Sequence, residues 1–345
     1  MRRAIILIIG SIVILAAVIL TGNFLNKGNK EEGNEDKIKI IATLFPQYDF
    51  IKNIGGDKVD VTLLLPAGVE SHSYEPTPKD IMDVNRASIF AYTGEEMEPW
   101  AEKIATSISS DTIILNTIEG IELINIEEFE EAYDHEHDHS HDHDHNHNND
   151  DDHDHNDEHH EENKHLHTYD PHIWLNPIYA VQMVENIKNT LIEVDPENAE
   201  YYEENANNYI AKLMTLNADI KDVVDNGERD ELAFGGPFAY AYFVEQYNLK
   251  FISAYDSCSG EVEPSVAKIK NVIDEIRKHD IPVVFYQELS SGSVARAIAE
   301  ETNTIMLEFH TIHNVSKQEI EEGATYISIM RTNLENLKQA VGQKD

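Results

Sequence analysis

Ile38 to Leu65 reads IKIIATLFPQYDFIKNIGGDKVDVTLLL, and the reading of this stretch decides the fold. Ile38 to Leu44 is a short, mostly apolar run, the pattern of a buried strand. Pro46 stands at a first helical position, where its missing N–H costs nothing, and opens a short helix that stops at Gly55-Gly56. Val59 to Leu65 is a second strand, closed by Pro66 and Gly68. Strand, helix and strand in such close succession predict parallel strands with a crossover helix.

The same alternation continues outward. Thr77-Pro78-Lys79-Asp80 is a helix start, with an N-cap, a proline at N1 and a carboxylate in the first turn. Ser88 to Thr93 is a third strand, a helix carrying Met97 and Trp100 follows, and Thr112 to Leu115 is a fourth strand. A second α/β unit starts at Glu231. It has strands at Leu232 to Phe234, Phe251 to Tyr255, Val283 to Tyr286 and Thr304 to Phe309, with helices predicted at Phe238 to Tyr247, from Ser265 to Lys278 and at Ser293 to Thr302. Between the two units, Pro177 begins a helix that Asp195-Pro196 breaks. Tyr202, Ala206, Tyr209, Leu213, Leu216, Ile220 and Val223 then keep a helical stripe to about Asp225. That second helix of about 30 residues would span roughly 45 Å. It is either a stiff strut between two domains or a bent hairpin packed on one of them. The expected organisation is a segment 1–23, a tether 24–37, an N-terminal α/β lobe 38–176, a helical segment 177–226 and a C-terminal α/β lobe 227–345.

With 345 residues the chain is long enough for two domains, since single cores rarely grow beyond about 250 residues. The formal charge of −39 argues against nucleic acid as a partner, because phosphate binding needs clustered Lys and Arg. Removing the 17 carboxylates of residues 127–162 still leaves −22, so the acidity is global and draws cations to the surface. Cys258 is the single cysteine, which excludes an intrachain disulfide and any thiolate-rich zinc site. At the N-terminus, Arg2-Arg3 precede an apolar run from Ala4 to Leu20, the layout of an export signal or an uncleaved anchor. Leu20-Thr21-Gly22-Asn23 is similar to a bacterial lipoprotein cleavage box, but Asn23 stands where the lipidated cysteine would be. The expected location is extracytoplasmic and membrane-associated, at a cell surface or in a periplasm.

Within the predicted loop 127–167, the tract from Asp134 to His167 holds 13 of the chain's 18 histidines. They are His135, His137, His139, His141, His143, His145, His147, His153, His155, His159, His160, His165 and His167, interleaved with Asp, Glu and Asn. So polar a run cannot bury a core of its own and reads as a solvated loop that gathers cations loosely, imidazole being the commonest protein metal ligand. His135-Glu136-His137-Asp138-His139 satisfies the HExxH zinc-protease pattern literally. That pattern works only on a buried helix with an apolar face, and here it is an accident of alternation. No P-loop, GxSxG or dinucleotide fingerprint is present.

Five histidines lie outside the tract. His279, at a helix end, reads as a surface residue compensating the helix dipole. His72, His172, His310 and His313 all fall in loops just after strands or just before helices, where ligands sit in parallel sheets. Two in each half of the chain point to a metal held in a cleft between domains, and Glu288, following its own strand, also faces that edge.

VESHSYEPTPKD, DPHIWLNP, the Tyr-Phe helix ending in YNLK, VEPS and IAEET together resemble the substrate-binding proteins of zinc/manganese ABC importers. The resemblance covers roughly residues 38–340. It implies two α/β lobes joined by a long rigid helix with one metal ion in the interlobe cleft. It also implies a membrane permease as partner, a monomer, and a transported Zn²⁺ rather than a catalytic cofactor. His72 and His172 fall on the first two family ligands. The third, a His or Glu in the family, falls on Pro237, which has no side-chain donor. The fourth aligns with His310, so the expected set is His72, His172 and His310, completed by His313 or Glu288. Three imidazoles favour zinc over manganese. The alternatives are a manganese or ferrous-iron receptor of the same class, a zinc hydrolase with Glu288 as base, or a surface adhesin or metal buffer in which the tract alone matters.

Overall fold

The computed structural model describes residues 37–108, 111–134, 168–255, 258 and 263–343; the apolar N-terminus and the histidine tract after residue 134 lie outside them. In chain order the N-terminal part contains β1 (Ile38–Ala42), α1 (Phe45–Gly55), β2 (Val59–Leu63), α2 (Pro78–Val84), β3 (Ile89–Tyr92), α3 (Pro99–Ala105), β4 (Ile113–Asn116) and α4 (Ile126–Asp134). Two helices follow, α5 (Pro177–Val194) and α6 (Ala199–Asp225). The C-terminal part comprises β5 (Glu231–Phe234), α7 (Ala241–Tyr247), β6 (Lys250–Ser253), α8 (Val266–His279), β7 (Val283–Tyr286), α9 (Ser293–Thr302), β8 (Ile305–Glu308), α10 (Lys317–Glu322) and α11 (Tyr326–Val341).

The strands form two four-stranded parallel sheets, ordered β2-β1-β3-β4 and β6-β5-β7-β8. The order is the same in both, so each lobe reverses direction between its first and third strand. Such a reversal opens a crevice at the strands' C-terminal ends. The α/β class and the two-lobe architecture expected from the alternation are borne out.

Helix α6 answers the question left open about the long helix. Its stripe of seven residues, from Tyr202 to Val223, is buried, and the helix is 27 residues long, about 40 Å at 1.5 Å per residue. Near its start Tyr209 Oη donates to Asp49 Oδ2 of α1 at 2.8 Å, and Asn205 Nδ2 donates to Ile54 O. Further along, Asn217 Oδ1 accepts from Tyr247 Oη of α7, and Asp219 pairs with Arg331 of α11. The helix therefore braces both lobes.

One hydrophobic cluster runs through both sheets and these helices, from Ile40 and Phe50 through Trp174 and Leu213 to Phe234, Phe309 and Leu334. Smaller clusters fill the outer faces, under α2 and α3 in the first lobe and under α8 and α9 in the second. Hydrogen bonds cross between lobes: Trp174 Nε1 to Thr311 O, Tyr326 Oη to Trp174 O and Tyr242 Oη to Asp170 O, all buried, and Asn314 Nδ2 to Pro66 O, partly buried. Among the described residues no helix is long and apolar enough to cross a membrane.

Two local expectations change. The helix predicted from Phe238 begins only at Ala241. Pro237 to Tyr240 instead run as irregular backbone, where Tyr240 stacks on Phe234 with ring centroids 4.8 Å apart and its hydroxyl donates to Phe309 O. His279 is more than a dipole-compensating surface residue, since Nδ1 meets Glu231 Oε2 at 2.8 Å and Nε2 meets Glu275 Oε2 at 3.1 Å.

Candidate metal centre

His72 lies in the loop that leaves β2, and this loop is tied down at both flanks. Trp100 Nε1 donates to Ser71 O at 3.1 Å, and Thr77 caps α2 with Asp80 reaching back to Tyr74 and Thr77. His172 is fully buried in the turn before α5, between the interlobe bonds of Asp170 and Trp174. Asp170 Oδ1 accepts from His172 N at 2.7 Å and lies 3.1 Å from His172 Nδ1. A carboxylate accepting from Nδ1–H fixes the tautomer and leaves the Nε2 lone pair free to bind. The two rings stand edge to face with centroids 5.9 Å apart. Cys258, in the loop after β6, completes the group: its Sγ is 3.7 Å from His72 Nε2. One donor atom each from His72, His172 and Cys258 lies within 4.8 Å of the others.

The loop after β8 delivers His310 and His313 in a conformation it must be forced to hold. Ile312 has φ +66°, a left-handed value that a β-branched residue rarely adopts. Its neighbours over-determine it. Asn333 accepts from His310 N and donates to His310 O, each at 2.8 Å, and Ile312 N donates to His310 Nδ1 at 2.8 Å. Glu288 Oε2 accepts from Thr311 N at 2.8 Å, and its Oε1 accepts from Thr311 Oγ1.

The two histidines then part. His313 Nδ1 is engaged by Thr311 Oγ1 and stands 3.5 Å from Glu288 Oε1, while its buried Nε2 lacks a hydrogen-bond partner and lies 3.9 Å from Glu70 Oε2. Burial holds the His313 imidazole below its usual range against the opposing pull of Glu288 and Glu70, and His172 is near enough to reinforce the neutral form. His310 is not brought to the His72–His172–Cys258 group. Its Nδ1 is taken by Ile312 N–H, and its Nε2 lies 3.3 Å from Glu319 Oε1. Burial lowers the His310 pKa, but Glu288, Glu319 and Glu308 outweigh it and raise the ring above its usual range. Burial alone would raise Glu288. The His310 and His313 rings, with the bonds from Thr311, hold it below the ordinary carboxylate value.

Pro237 is buried in the loop between β5 and α7 and offers no donor, as its chemistry requires. Sequence reasoning missed Cys258, Glu70 and the orienting role of Asp170. The available signal was positional: Cys258 follows a strand just as His72, His310 and His313 do, and Glu70 precedes His72 in the same loop.

Two α/β lobes braced by one long helix, with imidazoles converging from the loops at the strand ends, define the class of metal-ion substrate-binding proteins. Residues 40–340 match the family described as ZnuA, zinc-uptake complex component A, periplasmic, and the chain belongs to that family. It is 34% identical over 336 residues to the high-affinity zinc uptake system protein ZnuA of Bacillus subtilis strain 168, covering 96% of this chain and 97% of that protein. The zinc-binding lipoprotein AdcA of Streptococcus pneumoniae strain R6 is 28% identical over 321 residues, and the matched region spans 59% of its length. Among solved structures, the metal-dependent lipoprotein YcdH of Bacillus subtilis superposes with TM-score 0.70 at 30% identity, covering 88% of this chain and 99% of that one. The Zn(II)-bound ZnuA-like domain of Streptococcus pneumoniae AdcA does so with TM-score 0.69 at 26% identity, covering 89% and 100%.

Proposed function

We propose that the chain is an extracytoplasmic receptor that captures Zn²⁺ and hands it to the membrane permease of an ABC-type importer, without catalysing a reaction. The observation that carries this is the meeting of His72 with His172, whose Nδ1 lies 3.1 Å from Asp170 Oδ1, which leaves Nε2 as its donor. Such imidazoles are borderline-soft donors suited to zinc, whereas manganese takes more oxygen ligands. His313 adds a third imidazole through its buried Nε2, with Glu288 behind it holding the loop. His310 keeps the frame rigid through Asn333 and Glu319 and stays out of the coordination sphere. The domain boundaries follow the two sheets, 38–176 and 227–345, with 177–226 as the brace. Residues 1–23 serve as signal or anchor, and the histidine tract supplies loosely held ions to the cleft. The receptor acts as a monomer.

Titration calorimetry of the full chain and of a chain lacking 134–167 tests this reading. Both should show one tight zinc site, removed by His172→Ala, with the weaker sites present only in the full chain. Proton competition for the imidazoles should weaken the tight site as pH falls below about 6.5. Loss of the tight site with the tract would sink the proposed division of labour, and hydrolysis of an ester or peptide that His172→Ala abolishes would sink the receptor.

A further inference from the structure

We propose that Cys258 is a ligand of the captured ion, supplying a thiolate in place of the donor that Pro237 lacks. This rests on the zinc-receptor reading above and deepens it. The two loops are neighbours: Pro237 follows β5, Cys258 follows β6, and these strands pair in register from Glu231 with Lys250 to Phe234 with Ser253. The missing donor is thus replaced from the adjacent strand at the same edge of the sheet, without any change of fold.

The geometry fits a tetrahedral ion. With Zn–S near 2.3 Å and Zn–N near 2.05 Å, the S···N edge of a tetrahedron is about 3.6 Å. Cys258 Sγ stands 3.7 Å from His72 Nε2, and a His172 donor completes a triangle in which no donor pair exceeds 4.8 Å. A dication held by these donors displaces the thiol proton as it binds. A sulfur donor also narrows the choice of cargo: thiolates favour zinc, cadmium and copper(I), whereas magnesium, calcium and manganese prefer oxygen.

The test loads the full chain with no more than one equivalent of metal, so that the tight site fills before the tract. X-ray absorption at the zinc edge should show one sulfur scatterer near 2.3 Å, and cobalt(II) loading should give thiolate-to-metal charge-transfer absorption. Cys258→Ser should abolish both signals. It should also weaken zinc by more than the roughly 10–100-fold that a lost supporting partner costs. Cys258→His, which restores a nitrogen donor, should recover much of the affinity but no sulfur signal. A wild-type site that binds zinc tightly with nitrogen and oxygen scatterers only, or a Cys258→Ser chain with unaltered affinity, overturns the assignment and leaves the receptor reading standing. Failure of the wild-type chain to bind zinc tightly overturns the receptor reading itself.

Discussion

Replacing Asp170 by Asn isolates the contribution of orientation from that of ligation. Asp170 is buried and spends one oxygen on His172, accepting from the backbone N–H at 2.7 Å and facing Nδ1 at 3.1 Å. Asparagine has the same shape and can keep the backbone bond, so the turn before α5 should persist. It loses the charge, however, so the oxygen that faces Nδ1–H becomes a weaker acceptor and holds the tautomer and the ring less firmly. A hydrogen bond to a charged partner contributes about 1.5–3 kcal/mol, and an orienting carboxylate behind a ligating imidazole is worth about 10–100-fold in affinity, or roughly 1.4–2.7 kcal/mol. The two estimates agree, so zinc affinity of Asp170→Asn should fall by about 10–100-fold. The assay is calorimetric titration against a competing chelator, paired with denaturant unfolding of the apo chain. Undiminished affinity in a normally stable Asp170→Asn chain would refute the orientation argument. A parallel loss of stability would instead show that Asp170 acts mainly through its bonds to the fold.

Two further predictions concern stability. Burial raises the Glu98 carboxyl from 4.5 to about 7, against the hydrogen bonds from Thr43 and Thr93 that favour its ionised form. Because the folded value lies above the unfolded one, the associated stability is fully present below about 4.5 and is lost as pH rises through about 7. The difference amounts to about 3 kcal/mol. Glu98→Gln should flatten the decline in the denaturant midpoint between about pH 5 and about pH 8, and an unchanged slope would show that another group causes it. Asn333→Ala removes both bonds to the backbone of His310 and leaves a buried N–H and C=O without partners, at about 1–3 kcal/mol each. The expected loss is about 2–6 kcal/mol in unfolding free energy, together with weaker zinc binding through the strained loop at Ile312. Unaltered zinc affinity would mean that His313 does not depend on that loop.

The fold was largely legible because its signals are periodic. Strand runs such as Ile38 to Leu44 and Val283 to Tyr286, and the stripe from Tyr202 to Val223, all correspond to observed elements. The start of α7 was not legible: Phe238 and Tyr240 fit a helical pattern, but tertiary ring stacking on Phe234 and Phe251 claims them first. The candidate site was legible in its loops and less so in its atoms. Sequence places His310 and His313 three residues apart at one strand end. It does not reveal that Glu319, from the capping box of α10, takes one face of His310. Nor does counting cysteines reveal where the one cysteine goes. A single thiol excludes a thiolate-rich site, yet it is fully compatible with one sulfur among imidazoles.

The shared core constrains how an ion can enter and leave. In a receptor whose lobes have separate cores, a hinge can open the whole cleft at the cost of few contacts. Here opening the lobes would break the bonds from Trp174 to Thr311, Tyr326 to Trp174, Tyr242 to Asp170 and Asn314 to Pro66 and Val69. It would also split a hydrophobic cluster that includes Trp174, Tyr326 and Phe309. At about 1 kcal/mol net per bond, and more where a buried group is left unpaired, the cost consumes a large part of the ~5–15 kcal/mol that holds a domain folded. Rearrangement on binding is therefore expected in side chains and in the loops after β2 and β8, while α6 braces both lobes. A site built this way gains affinity from donors already held in place by Asp170, Glu288 and Asn333. It discriminates between ions through donor chemistry and spacing, because a cleft of fixed width cannot collapse around a poorer fit.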